Sequence, residues 1–209
     1  MTDSLVFDHI TEYSPVIIDF FRSYPKSTFE FKTKSDNIDL LLKTRHNGNI
    51  VVGWTFNPQY IIDRAEFYTA SLRQRIKAAQ KCTKAGFKIA IHFDPIIYFS
   101  GWEKHYEPLV NMLFDRIKAK NIAWISLGTL RISVRLKKVI ENRFPESDLL
   151  NEEIILGYDE KLRYRYEKRR DIYKKMMTWI QKRSKKVKIY LCMEDHSMCQ
   201  NCQTLPQKF

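Results

Sequence analysis

No run of eighteen apolar residues occurs in the 209-residue sequence, which excludes a membrane-spanning helix of ordinary length. The opening Met1-Thr2-Asp3-Ser4 lacks the basic and apolar regions of a secretory leader. Cysteine is scarce, with four residues of which three fall in the last eighteen, and that distribution is not the framework of a secreted disulfide-stapled domain. Low-complexity linkers are absent, as is any internal repeat. These absences describe a chain expected to be soluble and cytoplasmic, and its 44% hydrophobic content is enough for a sizeable core. Acidic residues are nearly missing from one segment. Between Lys161 and Lys188 thirteen Lys and Arg stand against Glu167 and Asp171, a local net of +11 within a formal total of +12. Cations interleaved with aromatics are the footprint of a nucleic-acid surface, and a solvated helix face is the plain alternative.

What is present alternates. Apolar spacing predicts a helix over 10–24, with Pro15 in its first turn. A strand follows over Thr28–Lys34, and Ser35, Asp36 and Asn37 open a helix over 38–43. The run 50–56 reads as a strand ended by Asn57-Pro58, and turn residues then lead to a helix over 72–85 closed by Gly86. Helical period returns over 102–119, a strand is expected over 121–127 and a helix over 136–143. Near Leu149 the pattern changes to a β-hairpin, at about 150–166, spliced in before a helix over 167–183 and a last strand over 187–193. Repeated β-α units imply parallel strands joined by right-handed crossovers, hence an α/β wound sheet or an incomplete (β/α) barrel with an inserted hairpin.

The stretch from Gly86 to Trp102 is central to this reading. Its β-branched run ends at His92 and Asp94, and Pro95 is expected to stop the strand. Parallel sheets collect ligands at the carboxyl ends of their strands, so His92 and Asp94 are rim candidates. A satisfied core histidine and a turn-capping aspartate are the alternative.

Several motifs, taken in order, resemble the later two-thirds of the spore photoproduct lyase family, radical S-adenosylmethionine enzymes. They are Glu30-Phe31-Lys32-Thr33-Lys34-Ser35, Trp54-Thr55-Phe56-Asn57-Pro58, His92-Phe93-Asp94-Pro95-Ile96, Gly101-Trp102-Glu103, Ile122 to Gly128, and Tyr190-Leu191-Cys192-Met193-Glu194. The resemblance covers about Ile10 to Glu194. It implies a partial barrel over 1–194, with 195–209 as a cysteine-containing tail, and a 4Fe-4S cluster that reduces S-adenosylmethionine in order to revert a thymine dimer in DNA to two thymines. By the same resemblance Lys34, Thr55 and Asp94 contact S-adenosylmethionine, with Lys32 as the alternative to Lys34, because residues two apart on a strand share a face. Arg163 and Tyr164 match the family's lesion-facing hairpin, and Arg165, Tyr166, Lys168, Arg169 and Arg170 would add backbone contacts to DNA.

The family's Cys-x3-Cys-x2-Cys cluster motif and its hydrogen-donating cysteine lie upstream of the matched region. The resemblance therefore implies a fragment, a split-gene half or a degenerate relative, without catalytic residues of its own and inactive without an N-terminal polypeptide carrying the cluster. Cys82 reads as helix packing. Cys192, His196, Cys199 and Cys202 are a possible metal set at the wrong end of the chain for that motif, and free thiols on a tail are the alternative. A nucleic-acid-binding remnant without catalysis, and a small metal-binding α/β protein, are the competing functional classes.

Overall fold

The computed structural model describes residues 3–204; the expected tail runs on to residue 209, and its part from 205 onward lies outside the described residues. The chain opens on α1 (Asp8–Thr11) and α2 (Tyr13–Arg22), where a single helix was expected. The break falls at Glu12, held in the left-handed region at φ 51, and the buried Asp8 carboxylate fixes it by accepting from the Ser14 N–H at 2.9 Å. Next come β1 (Phe29–Thr33), α3 (Asp39–Lys43) and β2 (Ile50–Thr55). α4 (Gln59–Ala65) occupies the stretch read as turns. Pro58, which lacks an N–H to satisfy, sets its entry, and Ile61 and Ile62 go into the core. In α5 (Leu72–Lys84) Ser71 and Gln74 form a reciprocal capping box, and Gly86 at φ 92 then turns the chain into β3 (Lys88–Ile96).

Pro95 does not end β3. The ladder to the next strand breaks between Phe93 and Ile96, where proline has no N–H to give, and resumes beyond it. α6 (Glu103–Arg116) and β4 (Ile122–Thr129) follow, then β5 (Arg131–Ser133), a strand the sequence pattern did not announce, and α7 (Val134–Arg143). β6 (Ile154–Leu156) and β7 (Lys161–Tyr164) are the expected hairpin, but β5 pairs with the other edge of β7, which makes a three-stranded antiparallel sheet with β7 in its middle. α8 (Tyr166–Arg183), β8 (Ile189–Leu191) and α9 (His196–Asn201) complete the chain.

The main sheet is five-stranded and wholly parallel in the order β1-β2-β3-β4-β8. Each crossover advances in the same direction, and crossovers of one hand then put every covering helix on one face. The sheet does not close. Its helix side is dense: all of β2 is buried, and Trp54, Phe56, Phe87 and Tyr106 are at most 2% exposed. α9 belongs to this body, since Met198, Cys199 and Cys202 join the core instead of fraying as a tail. Among the described residues no helix is long and apolar enough to cross a membrane.

Candidate functional site

Strand alternation decides which side chains reach the face that the helices leave bare. Phe29 packs on Phe21 of α2, so Glu30 and Lys32 point the other way. Ladder register carries that face across the sheet: Lys32 pairs with Gly53, Thr55 with His92, His92 with Ser126, and Ser126 with Tyr190. The outcome is a polar row on a sheet whose opposite side is almost entirely apolar.

His92, 2% exposed, is held at both ring nitrogens. Its Nε2 meets the Glu30 carboxylate, and its Nδ1 lies 2.6 Å from the Ser126 hydroxyl. The carboxylate calls for an N–H at Nε2, and Nδ1 and the Ser126 hydroxyl share the second hydrogen bond. Gly53 makes this pair possible, for an added Cβ would stand 2.1 Å from Glu30 Oε1 and 2.7 Å from His92 Nε2. Beside it Lys32 Nζ donates to Asp94 Oδ2 at 3.3 Å, and the Cys192 thiol lies against the same aspartate. Gly128 gives Asp94 its room, since a Cβ there would fall 2.6 Å from Asp94 Oδ1. Burial, reinforced by the neighbouring Asp94 charge, pushes the Cys192 thiol up to about 12, so it stays protonated at neutral pH. Burial likewise raises the Tyr190 phenol to about 12 against the opposing hydrogen bond of Ser126.

Of the residues expected to meet the cofactor, Asp94 and Thr55 lie on this face, Thr55 2% exposed at the end of β2. Lys34 is not the partner of Asp94; Lys32 is. Lys34 lies at the strand-end rim, where its N–H donates to Asp3 Oδ2 at 2.6 Å and its side chain borders a cleft of 430 Å³ with Asn57, Glu66 and Pro95. His92 anchors the row, while Glu30, Ser126 and Tyr190 were missed because they are polar residues within otherwise apolar strands. Period-two alternation was the signal that could have found them.

Of the residues expected to face DNA, Arg163, Tyr164 and Arg169 are internal. Arg163 is 3% exposed and spends its guanidinium internally: Nη2 donates to Asp159 at 2.6 Å, Nη1 to the Met193 carbonyl at 3.1 Å, and Glu194 lies 3.6 Å away. Tyr164 is fully buried, its hydroxyl accepting from the Tyr98 N–H at 3.1 Å, and burial raises its phenol well above the usual range. Arg169 is held by both oxygens of Glu194 and by the Tyr164 carbonyl. These side chains are internal because β5 covers the far edge of β7 and α8 folds back over Glu194. Arg165 remains exposed beside Glu153, and Lys168 lies 3.9 Å over the Tyr98 ring with Glu152 at 2.5 Å. Tyr166 is partly buried against the core, and Arg170 pairs with Asp171. Burial pushes the Asp159 carboxyl up, but hydrogen bonds and charge from Arg163 and Arg131 outweigh it and hold the group down at about 2.

The four terminal ligand candidates do not converge. Cys192 faces Asp94, whereas Cys199 and Cys202 are buried under α9, with Cys202 Sγ 4.0 Å from Met198 Sδ. Among the described residues no three His, Cys, Asp or Glu come together to hold a metal. Cys82 is wholly buried within α5, as its position predicts.

An open, singly wound parallel sheet with a polar row on its bare face defines the class: part of a (β/α) barrel. Residues 1–193 match the family model for spore photoproduct lyase, and the chain belongs to that family. It is 31% identical over 167 residues to the spore photoproduct lyase of Bacillus subtilis (strain 168), covering 79% of this chain and 47% of that one. It is 29% identical over 150 residues to that of Geobacillus sp. (strain Y412MC61), covering 71% and 44%. A solved spore photoproduct lyase complexed with dinucleoside spore photoproduct superposes with a TM-score of 0.81 at 27% identity, over 91% of this chain and 58% of that one. A mutant lyase with bound AdoMet and dinucleoside spore photoproduct gives the same values. The chain thus spans just under half the length of the curated relatives it matches.

Proposed function

We propose that this chain forms the cofactor-orienting part of a spore photoproduct lyase, a radical S-adenosylmethionine enzyme that reverts a thymine dimer in DNA to two thymines. The observation that carries the reading is the Lys32–Asp94 pair, 30% and 24% exposed, on the bare face of a sheet that superposes on a lyase with AdoMet bound. A half-open lysine beside two carboxylates, Glu30 and Asp94, fits a zwitterionic amino-acid nucleoside. Lys32 would hold the carboxylate of the ligand, and Asp94 its ammonium or a hydroxyl. Thr55 supplies a further hydroxyl on the same face, and Lys34 a cation at the rim. Glu30 and Ser126 fix the His92 ring, and with it the floor of the site. When bound with a reduced iron–sulfur cluster, S-adenosylmethionine supplies hydrogen-atom abstraction.

The cluster itself does not fit the side chains described, which bring no three ligating groups together. We assign it to a separate polypeptide segment that docks on this one. Support comes from α1 and α2, where Phe7, Ile10, Tyr13, Val16, Phe20 and Tyr24 are all more than half exposed, beside the edge strand β1. Tyr13, Val16, Phe20 and Tyr24 form one row at helical spacing, the kind of apolar patch that marks a protein interface.

Calorimetric titration with S-adenosylmethionine tests the reading. Weak binding by the parent, lost by about tenfold or ~1.4 kcal/mol in Lys32→Ala or Asp94→Ala, is expected. The second reading, a nucleic-acid-binding remnant, draws on the formal charge of +12 and is favoured instead if the parent binds DNA and shows no titratable S-adenosylmethionine site.

A further inference from the structure

Arg163 and Arg169 are spent internally, so an aromatic surface facing DNA would lie elsewhere on the molecule. Such a surface exists at the loop between α4 and α5. Arg75, fully buried, uses its whole guanidinium to pin this loop: Nε donates to the Ala70 carbonyl at 2.8 Å, Nη2 to Glu66 at 2.6 Å and to Thr69 Oγ1 at 2.7 Å, and Nη1 to the Thr55 carbonyl at 2.8 Å. Asn57 adds a bond to Glu66 at 2.8 Å, and the Ala70 N–H donates to the Lys34 carbonyl at 3.1 Å. What this clamp leaves outside is a pair of aromatic side chains. Phe67 is 52% exposed, and Tyr68 is fully exposed on a left-handed backbone at φ 59. A non-glycine residue in that region costs about 1 kcal/mol or more, and here the buried arginine over-determines it.

Phe67 does not stand alone. Its ring stacks on Phe144 beyond α7, with centroids 5.4 Å apart and planes 24° from parallel, across a cleft of 620 Å³. Arg64 and Arg143 line this cleft, and among the described residues neither takes part in an ion pair. Glu146 and Asp148 border it too, so the cleft carries both signs of charge. The cleft shares Ala65, Phe67 and Leu149 with the rim cleft that holds Lys34. The aromatic edge therefore continues into the strand-end site.

We propose that Phe67, Tyr68 and Phe144 are a stacking platform for an unpaired nucleobase of single-stranded or locally opened DNA, with Arg64 and Arg143 contacting the flanking phosphates. The proposal rests on the DNA-repair reading above and names residues for its substrate. Bases have a π-face whatever their identity, so an exposed, pre-positioned aromatic set beside unpaired arginines fits them without sequence preference. Pinning the loop in advance removes the ordering cost that an adaptable loop would meet on binding.

The experiment is fluorescence anisotropy of the parent chain with a short labelled oligothymidylate and with a duplex of the same length, at several salt concentrations. Tyr68→Ala and the double variant Phe67→Ala/Phe144→Ala should each weaken single-strand binding by on the order of tenfold, with the salt dependence unchanged. Arg64→Ala/Arg143→Ala should lower the log–log salt slope by about 1.4. All these positions are exposed or at the cleft, and circular dichroism of each variant is the check that it folds. If the parent binds and the aromatic variants bind as well as it does, the platform is overturned while the DNA reading stands. If the parent binds neither oligonucleotide, both fail. Variants that change the sedimentation of the chain without changing DNA affinity would show a protein interface instead, which also overturns the proposal.

Discussion

Lys32 and Asp94, sixty-two residues apart in the chain, meet at 3.3 Å on the bare face of the sheet. One strand, β2, separates their own, and only the parallel register that aligns Lys32 with Gly53 and Thr55 with His92 brings them together. The pair is 30% and 24% exposed, so it is held together while still open to a ligand. Lys34, at the edge of the neighbouring rim cleft, serves a different place. Lys32→Ala should therefore weaken S-adenosylmethionine binding about tenfold where Lys34→Ala reduces it about threefold or less, and calorimetry on the two variants decides between them. Equal losses would contradict the assignment.

Arg163→Ala separates a structural arginine from a DNA-contacting one. Removing it leaves Asp159 and the buried Glu194 without one of their partners, and loss of one member of a buried pair costs about 3–5 kcal/mol. Urea unfolding should show this loss. An unchanged midpoint would mean that Arg163 is dispensable to the fold.

Acid should act on the same cluster. The Asp159 carboxyl is held down at about 2 from an ordinary 3.8, by Arg163 and Arg131 against burial. A group whose folded value is depressed stabilises the fold above its unfolded value, and that stability drains away as pH falls through the folded one. With its side chain 17% exposed, the contribution is on the order of 1–2 kcal/mol, present above about pH 4 and lost toward pH 2. Asp159→Asn should remove that part of the acid dependence from a melting series, whereas an identical acid limb in parent and variant would dismiss it.

The thiol of Cys192 is held at about 12 by burial and then by the Asp94 charge. Asp94→Asn removes the second cause and leaves the first, so the thiol should titrate lower yet still above an ordinary cysteine. Alkylation at pH 8, followed by mass spectrometry of the peptide containing Cys192, should run several-fold faster in Asp94→Asn than in the parent. A slower reaction in the variant would refute this account of the thiol.

The exposed row on α2 gives a test of the docking segment. Val16 and Phe20 are 68% and 58% exposed, so Val16→Lys/Phe20→Lys should change stability by less than about 0.5 kcal/mol. The same variant should lose co-purification with a polypeptide carrying the family's cluster motif. Retained association would remove α2 from the interface.

The fold was largely legible because its signals are local. Ser71 and Gln74 announce α5, Gly86 closes it, and the β-branched runs of β2 and β3 mark the buried strands of a parallel sheet. α4 was hidden because its one apolar turn, Ile61 and Ile62, is too short to show a period among turn residues. β5 has three residues and exists only by pairing with β7, so no local preference could declare it. The site divided in the same way. Asp94 and Thr55 were named through the family resemblance and Lys32 through its two-residue spacing from Lys34, while the Lys32–Asp94 contact needed the ladder.

By itself the sequence determined the alternation of strands and helices, the parallel sheet and the placing of Asp94 near a strand's carboxyl end, because hydrophobic period and turn chemistry act within a few residues. Tertiary structure alone decided the fate of the charges. The +11 segment looks like a binding surface along the chain, yet Arg163 and Arg169 turn inward to neutralise Glu194, a residue twenty-five positions beyond Arg169. Burying a carboxylate requires cations close in space, and closeness in space is not written in spacing along the chain.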